Sequence, residues 1–190
     1  MAVDSARIAA AVAQLLEAIG DDPEREGVRE TPRRVAESYA EFFSGVGVDP
    51  LEHLAETLPL DDSPSETVLV RDIRFRSMCE HHLLPFVGVA HIAYAPRERL
   101  IGLGRLPLVV DTLASRLQLQ ERLSDEIADT IDRALEPLGV LVVLDATHQC
   151  VTTRGARQEL SSTVTTASRG LLADPVARTE IMTLIGAPRG

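Results

Sequence analysis

The chain has 190 residues and a net charge of −10, with 45% hydrophobic residues, 3% aromatics and no Trp. That length fits one compact domain with an aliphatic core, and the apolar content is too high for a disordered chain. The acidic balance offers no basic footprint for nucleic acid and no Lys/Arg block for an anionic membrane, so any phosphate site must be a local cluster of arginines. No stretch is long enough to span a bilayer. The start, Met1-Ala-Val-Asp, lacks the basic region and cleavage pattern of a secretory leader, so the expected compartment is the cytoplasm. Two cysteines in such a chain are read as thiols or metal ligands before a disulfide.

In chain order, Ile8, Val12, Leu15, Leu16 and Ile19 recur at helical spacing, which predicts an amphipathic helix over residues 4–20 with Ser5 as its cap. Thr31-Pro32 marks a second helix running towards Phe43. Residues 47–66, with three prolines and scattered acids, read as a linker or irregular crossing. From Thr67 the period changes to two, predicting a strand through Val68, Val70, Ile73 and Phe75 to Ser77, and a second over 86–95. Helices follow over 106–117 and 121–135. A long strand is expected over 140–154, with His148 and Cys150 near its middle, then a Thr-rich strand over 162–168 and a last helix over 174–185. Strands in antiparallel-looking pairs with helices between the pairs favour α+β over a doubly wound sheet. Residues 1–60 are expected to form an N-terminal helical region and 61–190 the sheet-containing remainder, as one functional unit.

Both cysteines stand beside histidines, in Cys79-Glu80-His81-His82 and His148-Gln149-Cys150. Thiolate sulfur and imidazole nitrogen are the donors zinc prefers. The C-x-x-H spacing lets Cys79 and His82 face one ion from a tight turn, and Cys150 closes the set. Three protein ligands leave a fourth tetrahedral position for water, whose pKa on zinc falls to about 7. On a strand, His148 and Cys150 point to one face, which hangs His148 over that water, where a pKa of about 6.5 suits proton transfer. Three other readings stay open on spacing alone. One is a structural zinc site with His81 or His148 as fourth ligand, another is a Cys79–Cys150 disulfide, and the third is two unrelated core thiols.

The segments Ser77-Met-Cys-Glu-His-His-Leu-Leu-Pro-Phe86, Gly102-Leu-Gly-Arg105, Leu117-Gln-Leu-Gln-Glu-Arg-Leu123 and Asp145-Ala-Thr-His-Gln-Cys150, with Arg154-Gly155, together resemble GTP cyclohydrolase I. Order and spacing match over nearly the whole chain. The resemblance implies hydrolysis on the C8–N9 side of the guanine imidazole ring of GTP. Formate is released, and the ring is reclosed to 7,8-dihydroneopterin triphosphate. It implies zinc on Cys79, His82 and Cys150, and catalytic histidines at His81 and His148. It also implies the tunnelling fold, an antiparallel sheet with helices on one face whose subunits pair into a barrel, and self-association to a homodecamer with sites between subunits. Gln120 and Glu121 match the guanine-recognition pair; a carboxylate can accept from N1–H and the 2-amino group together and so reject adenine. Arg34, Arg105 and Arg154 match triphosphate-binding positions, where the planar guanidinium meets phosphate oxygens in pairs.

The chain departs from that pattern at the phosphate end. Gly104 stands where Ser is common, Arg105 replaces Lys, Leu108 stands where an Arg is usual, and Glu37 where Lys or Arg is usual. These changes motivate an alternative substrate, a guanine compound with fewer phosphates. A non-catalytic tunnelling-fold protein with structural zinc, and nitrile reduction by a nucleophilic Cys, are the further alternatives.

Overall fold

The computed structural model describes residues 3–60 and 66–188. The first helix, α1 (Ser5–Ala18), is capped by the Asp4 carboxylate, which accepts from Arg7 N at 3.0 Å. The cap is therefore Asp4 and not Ser5, because the aspartate oxygen reaches a first-turn N–H that has no partner within the helix. The second, α2 (Thr31–Phe42), starts one residue earlier than the Thr31-Pro32 signal implies. Thr31 and Pro32 are its first two residues, and Glu30 takes the cap position without a side-chain bond.

The expected linker is partly built. A 3₁₀ turn, Pro50–Leu54, is capped by Asp49, which accepts from Leu51 N at 3.0 Å. It delivers Leu54 into the core at 2% exposure. A short strand β1 (Thr57–Pro59) then pairs antiparallel with β4 (Arg99–Ile101). Residues 61–65 of the expected linker lie outside the described residues.

The main sheet begins with β2 (Val68–Cys79) and β3 (Pro85–Ala95). Val68 and Val70 are out of phase with Ile73 and Phe75 by one residue. A β-bulge between Val70 and Ile73 absorbs the extra residue, with Asp72 at φ 62°. Asp72 N donates to the buried His91 Nδ1 at 3.2 Å. After α3 (Arg105–Ala114) the chain leaves the helix earlier than expected. Leu117–Gln118 becomes a two-residue strand β5, parallel to Met78 and Cys79. Helix α4 (Gln120–Leu135) leads to β6 (Gly139–His148), a single turn α5 (Gln149–Thr152), β7 (Thr163–Gly170) and α6 (Pro175–Gly186). The sheet order is β5-β2-β3-β6-β7, with every pair antiparallel except β5-β2.

Leu106, Val109, Val110 and Leu113 of α3 and Leu123, Ile127, Ile131 and Leu135 of α4 bury one face of this sheet against Phe75, Phe86, Ile92, Val142 and Leu144. Helices were expected on one face only. Instead α6 and the preceding 3₁₀ turn cover part of the opposite face, where Ala93, Leu141 and Val143 meet Leu172 and Ile181. Alternation along β3 and β6 makes this end apolar on both sides, and such a face must find a second cover. The mixed architecture is α+β, as the order of elements implied.

The long strand expected over 140–154 is shorter. It ends at His148, which pairs with Phe86 near the start of β3. Beyond that point no ladder partner remains, and the backbone closes a helical turn in which Thr153 N donates to Gln149 O at 3.0 Å. Cys150 thus lies in α5 and not on the strand face that carries His148.

Candidate active site

Cys79 is the last residue of β2, and the turn that follows is tight. Leu83 N and His82 N both donate to Cys79 O, and Cys79 N donates to Leu84 O. Leu83 takes the left-handed conformation at φ 51° to close the turn. The fold brings His82 Nδ1 to 3.7 Å from Cys79 Sγ. A tetrahedral ion with Zn–S near 2.3 Å and Zn–N near 2.05 Å requires an S···N edge of about 3.6 Å. Cys150 reaches the same point from α5, so that the donor atoms of Cys79, His82 and Cys150 all lie within 4.8 Å of one another. The triad therefore suits one zinc ion, with two thiolates and one imidazole.

The electrostatics agree with that donor set. Burial, then the neighbouring Cys79, raise the Cys150 thiol above its ordinary pKa, while Arg154 opposes the rise. Two sulfurs this close resist joint ionisation unless a cation lies between them. The two cysteines are free, so the disulfide alternative does not describe this structure.

His148 ends β6 beside this cluster. Its ring stacks on Phe86 with centroids 4.6 Å apart and planes 4° apart, and its Nε2 lies 2.6 Å from Gln120 Oε1. Burial holds His148 below the usual histidine pKa, and the Glu121 carboxylate opposes this. Glu121 is exposed in the first turn of α4. Gln120 is 1% exposed, with its whole amide hydrogen-bonded inside the chain. His81, by contrast, is exposed, 3.8 Å from Glu80 and edge-on to the His82 ring.

The sequence motifs named Gln120 and Glu121 within Leu117–Leu123 but gave no role to their neighbours. Gln118 and Arg122 brace the metal turn. Arg122 Nε donates to Gln118 Oε1 at 3.0 Å, and its guanidinium pairs with Glu80. Glu80 N also donates to Gln118 O at 3.2 Å. Phe86, in the first of those motifs, takes its role from the stack on His148. A buried aromatic opposite a histidine in register would have signalled the stack, but only once the pairing of β3 with β6 was known.

The fold and cluster now have relatives to set beside them. Residues 8–186 match the family model described as GTP cyclohydrolase I. The chain belongs to the GTP cyclohydrolase I family. A GTP cyclohydrolase 1 from Leifsonia xyli subsp. xyli is 58% identical over 183 residues, covering 96% of each chain. Another from Bacillus cytotoxicus is 55% identical over 185 residues, covering 96% of this chain and 97% of the relative. A third, from Caldanaerobacter subterraneus subsp. tengcongensis, is 51% identical and covers 98% of this chain and all of its own. Among solved structures, an apo archaeosine synthase QueF-Like matches at 20% identity over 57% of this chain and 97% of that one, with a TM-score of 0.47. Membership rests on the family model and the sequence relatives. The family is zinc-dependent, and the Cys79–His82–Cys150 group supplies a matching donor set.

The arginines expected at the phosphates are dispersed. Arg154 is close enough to Cys150 to favour its thiolate. Arg105 is bound to Glu56 at 2.5 Å. Arg34 is exposed on α2, whose main packing partner is α1. Glu37 does not face an open cation; it holds Arg33 at 2.6 Å, and Arg33 also holds Glu30. Arg169 is occupied by Asp125 and Asp129. Arg33 and Arg169 are therefore each paired with carboxylates. Among the described residues, no helix is long and apolar enough to cross a membrane.

Proposed function

We propose that this chain opens the guanine imidazole ring of GTP by hydrolysis, releases formate and yields 7,8-dihydroneopterin triphosphate. The observation that carries the reading is the convergence of Cys79, His82 and Cys150 next to a histidine held by a buried amide. Zinc bound there supplies Lewis acidity and activates water at neutral pH. Cys79, His82 and Cys150 are its ligands in this reading. His148 and His81 move protons between water, ring nitrogens and product. Glu121 accepts from guanine N1–H and the 2-amino group, and Arg34, Arg105 and Arg154 hold the triphosphate.

Self-association supports the same reading. β5 and β7 end the sheet, and Val87 and Val164, at 48% and 55% exposure, leave part of its second face uncovered. A barrel of subunits covers such a face, and the homodecamer of the tunnelling fold places the sites between subunits. Residues 1–60 act as the helical region and 61–190 as the catalytic part of one unit.

Incubation of the zinc-loaded protein with GTP, followed by oxidation, should give pterin fluorescence. A zinc-loaded protein that forms no pterin would support the non-catalytic, structural-zinc alternative. The Glu37–Arg33 and Arg105–Glu56 pairs and the exposed Leu108 favour a second substrate reading, a guanine compound with fewer phosphates. Comparing kcat/KM for GTP, GDP, GMP and guanosine separates the two, because a large preference for GTP rejects the second.

A further inference from the structure

We propose that Gln120 is a positioning residue which locks His148 in its Nε2–H tautomer and leaves Nδ1 as the ring nitrogen that carries the lone pair. The proposal rests on the reading of His148 as the residue that moves protons, and it deepens that reading by naming the atom.

Gln120 opens α4 with its side chain directed inward, between β6 and β7. Its amide has two neighbours that are backbone carbonyls, Leu144 O at 3.2 Å and Thr163 O at 2.8 Å. A carbonyl oxygen cannot donate, so the group facing both must be the NH₂. The amide orientation is thereby fixed by its surroundings. The remaining atom, Oε1, can only accept, and it lies 2.6 Å from His148 Nε2. A hydrogen bond of that length needs a proton on Nε2. With the proton on Nε2, the lone pair of the neutral ring lies on Nδ1.

Two further contacts make the arrangement rigid. The Phe86 ring, 0% exposed, lies parallel to the imidazole and fixes its plane. Ser124 Oγ donates to Gln120 O at 3.0 Å and lies 3.1 Å from Thr165 Oγ1, which ties the start of α4 to β7. Both Gln120 N–H donors are engaged and Oε1 is turned to His148, so base recognition within the Gln120–Glu121 pair falls to Glu121.

The test uses full-length, zinc-loaded protein carrying ¹⁵N-labelled histidine, examined by solid-state NMR, with His148→Ala identifying the His148 signals. In the wild type the expected result is a single tautomer with Nε2 protonated and Nδ1 bare. In Gln120→Met, a variant of similar size that offers neither the NH₂ nor the carbonyl oxygen, zinc content and KM for GTP should hold. Its kcat should fall about 10- to 100-fold and the His148 signal should become a mixture of tautomers. An Nδ1–H tautomer in the wild type overturns the proposal, as does an unchanged tautomer in Gln120→Met. If Gln120→Met does not fold, the wild-type spectrum alone decides. Full GTP turnover by His148→Ala would instead remove the catalytic reading of His148, leaving the tautomer to be judged on the spectra.

Discussion

The sulfurs of Cys79 and Cys150 lie within 4.8 Å of each other, although one ends β2 and the other sits in the turn that follows β6. With His82 Nδ1 at 3.7 Å from Cys79 Sγ they leave space for an ion and no need for a covalent bond. Cys150→Ser removes one of three ligands. Loss of a residue outside the ligand shell weakens metal binding by about 10- to 100-fold, and loss of a ligand should exceed that. Zinc stoichiometry by elemental analysis should fall towards zero. The wild-type Tm should drop on chelation while that of Cys150→Ser should not change.

His148→Ala leaves the three donors in place. Zinc content should match the wild type, while ring opening falls by about 10²- to 10⁴-fold, the usual contribution of a positioned acid or base. Formate release in single-turnover experiments measures this. An unchanged rate would assign the proton work to another group, with His81 the first to examine.

Glu121 is exposed at the start of α4 and close enough to raise the His148 pKa. Hydrogen bonds to a charged group contribute about 1.5–3 kcal/mol, so Glu121→Ala should lower kcat/KM for GTP by roughly 10- to 150-fold. A carboxylate covered by the bound base and left without the N1–H donor is what discriminates against adenine, so the same variant should narrow the gap between GTP and ATP binding. An unaltered GTP:ATP ratio would show that Glu121 does not read the base.

Leu108 projects from α3 with 43% exposure, one turn from Arg105, which Glu56 already occupies. Leu108→Arg should restore a phosphate charge. The expected outcome is a gain in kcat/KM for GTP that diminishes with added salt and is absent for guanosine. Equal effects on both substrates would place Leu108 away from the phosphates.

His91 is buried at the β2 bulge, and burial lowers its pKa; Arg71 acts in the same direction, while Asp72 and Asp145 oppose it. Asp72 N donates to the neutral ring, a bond that protonation of Nδ1 abolishes. Because the folded pKa is below the unfolded value of about 6.5, the unfolded chain binds more protons in the window between them. Stability contributed by neutral His91 is therefore complete above that value and is lost as pH falls towards the folded pKa. Urea unfolding across this range should show stability rising with pH, with a shallower slope in His91→Gln. Identical slopes would remove His91 from the acid sensitivity.

Much of the fold was legible in local pattern. Helical spacing of Ile8 to Ile19 and of the α4 residues corresponds to helices that bury one face. The pattern failed where a partner decides the outcome. Nothing local distinguishes His148 from Cys150 as the end of a strand, because the end is set by where β3 begins to offer a ladder. The end of α3 was misplaced for a similar reason: Leu117 and Gln118 leave the helix to pair with Met78 and Cys79.

By itself, the sequence determined the chemistry available, two thiols and a set of histidines at spacings that suit a borderline-soft cation, and the order of elements that makes an α+β sheet. Only the tertiary structure decided that Cys150 meets Cys79 and His82, that Gln120 turns inward to His148, and that Arg33 and Arg105 are held by neighbouring carboxylates. Ligand type is a property of each side chain and can be read locally. Distance, and which groups are already paired, depend on packing between segments far apart in the chain.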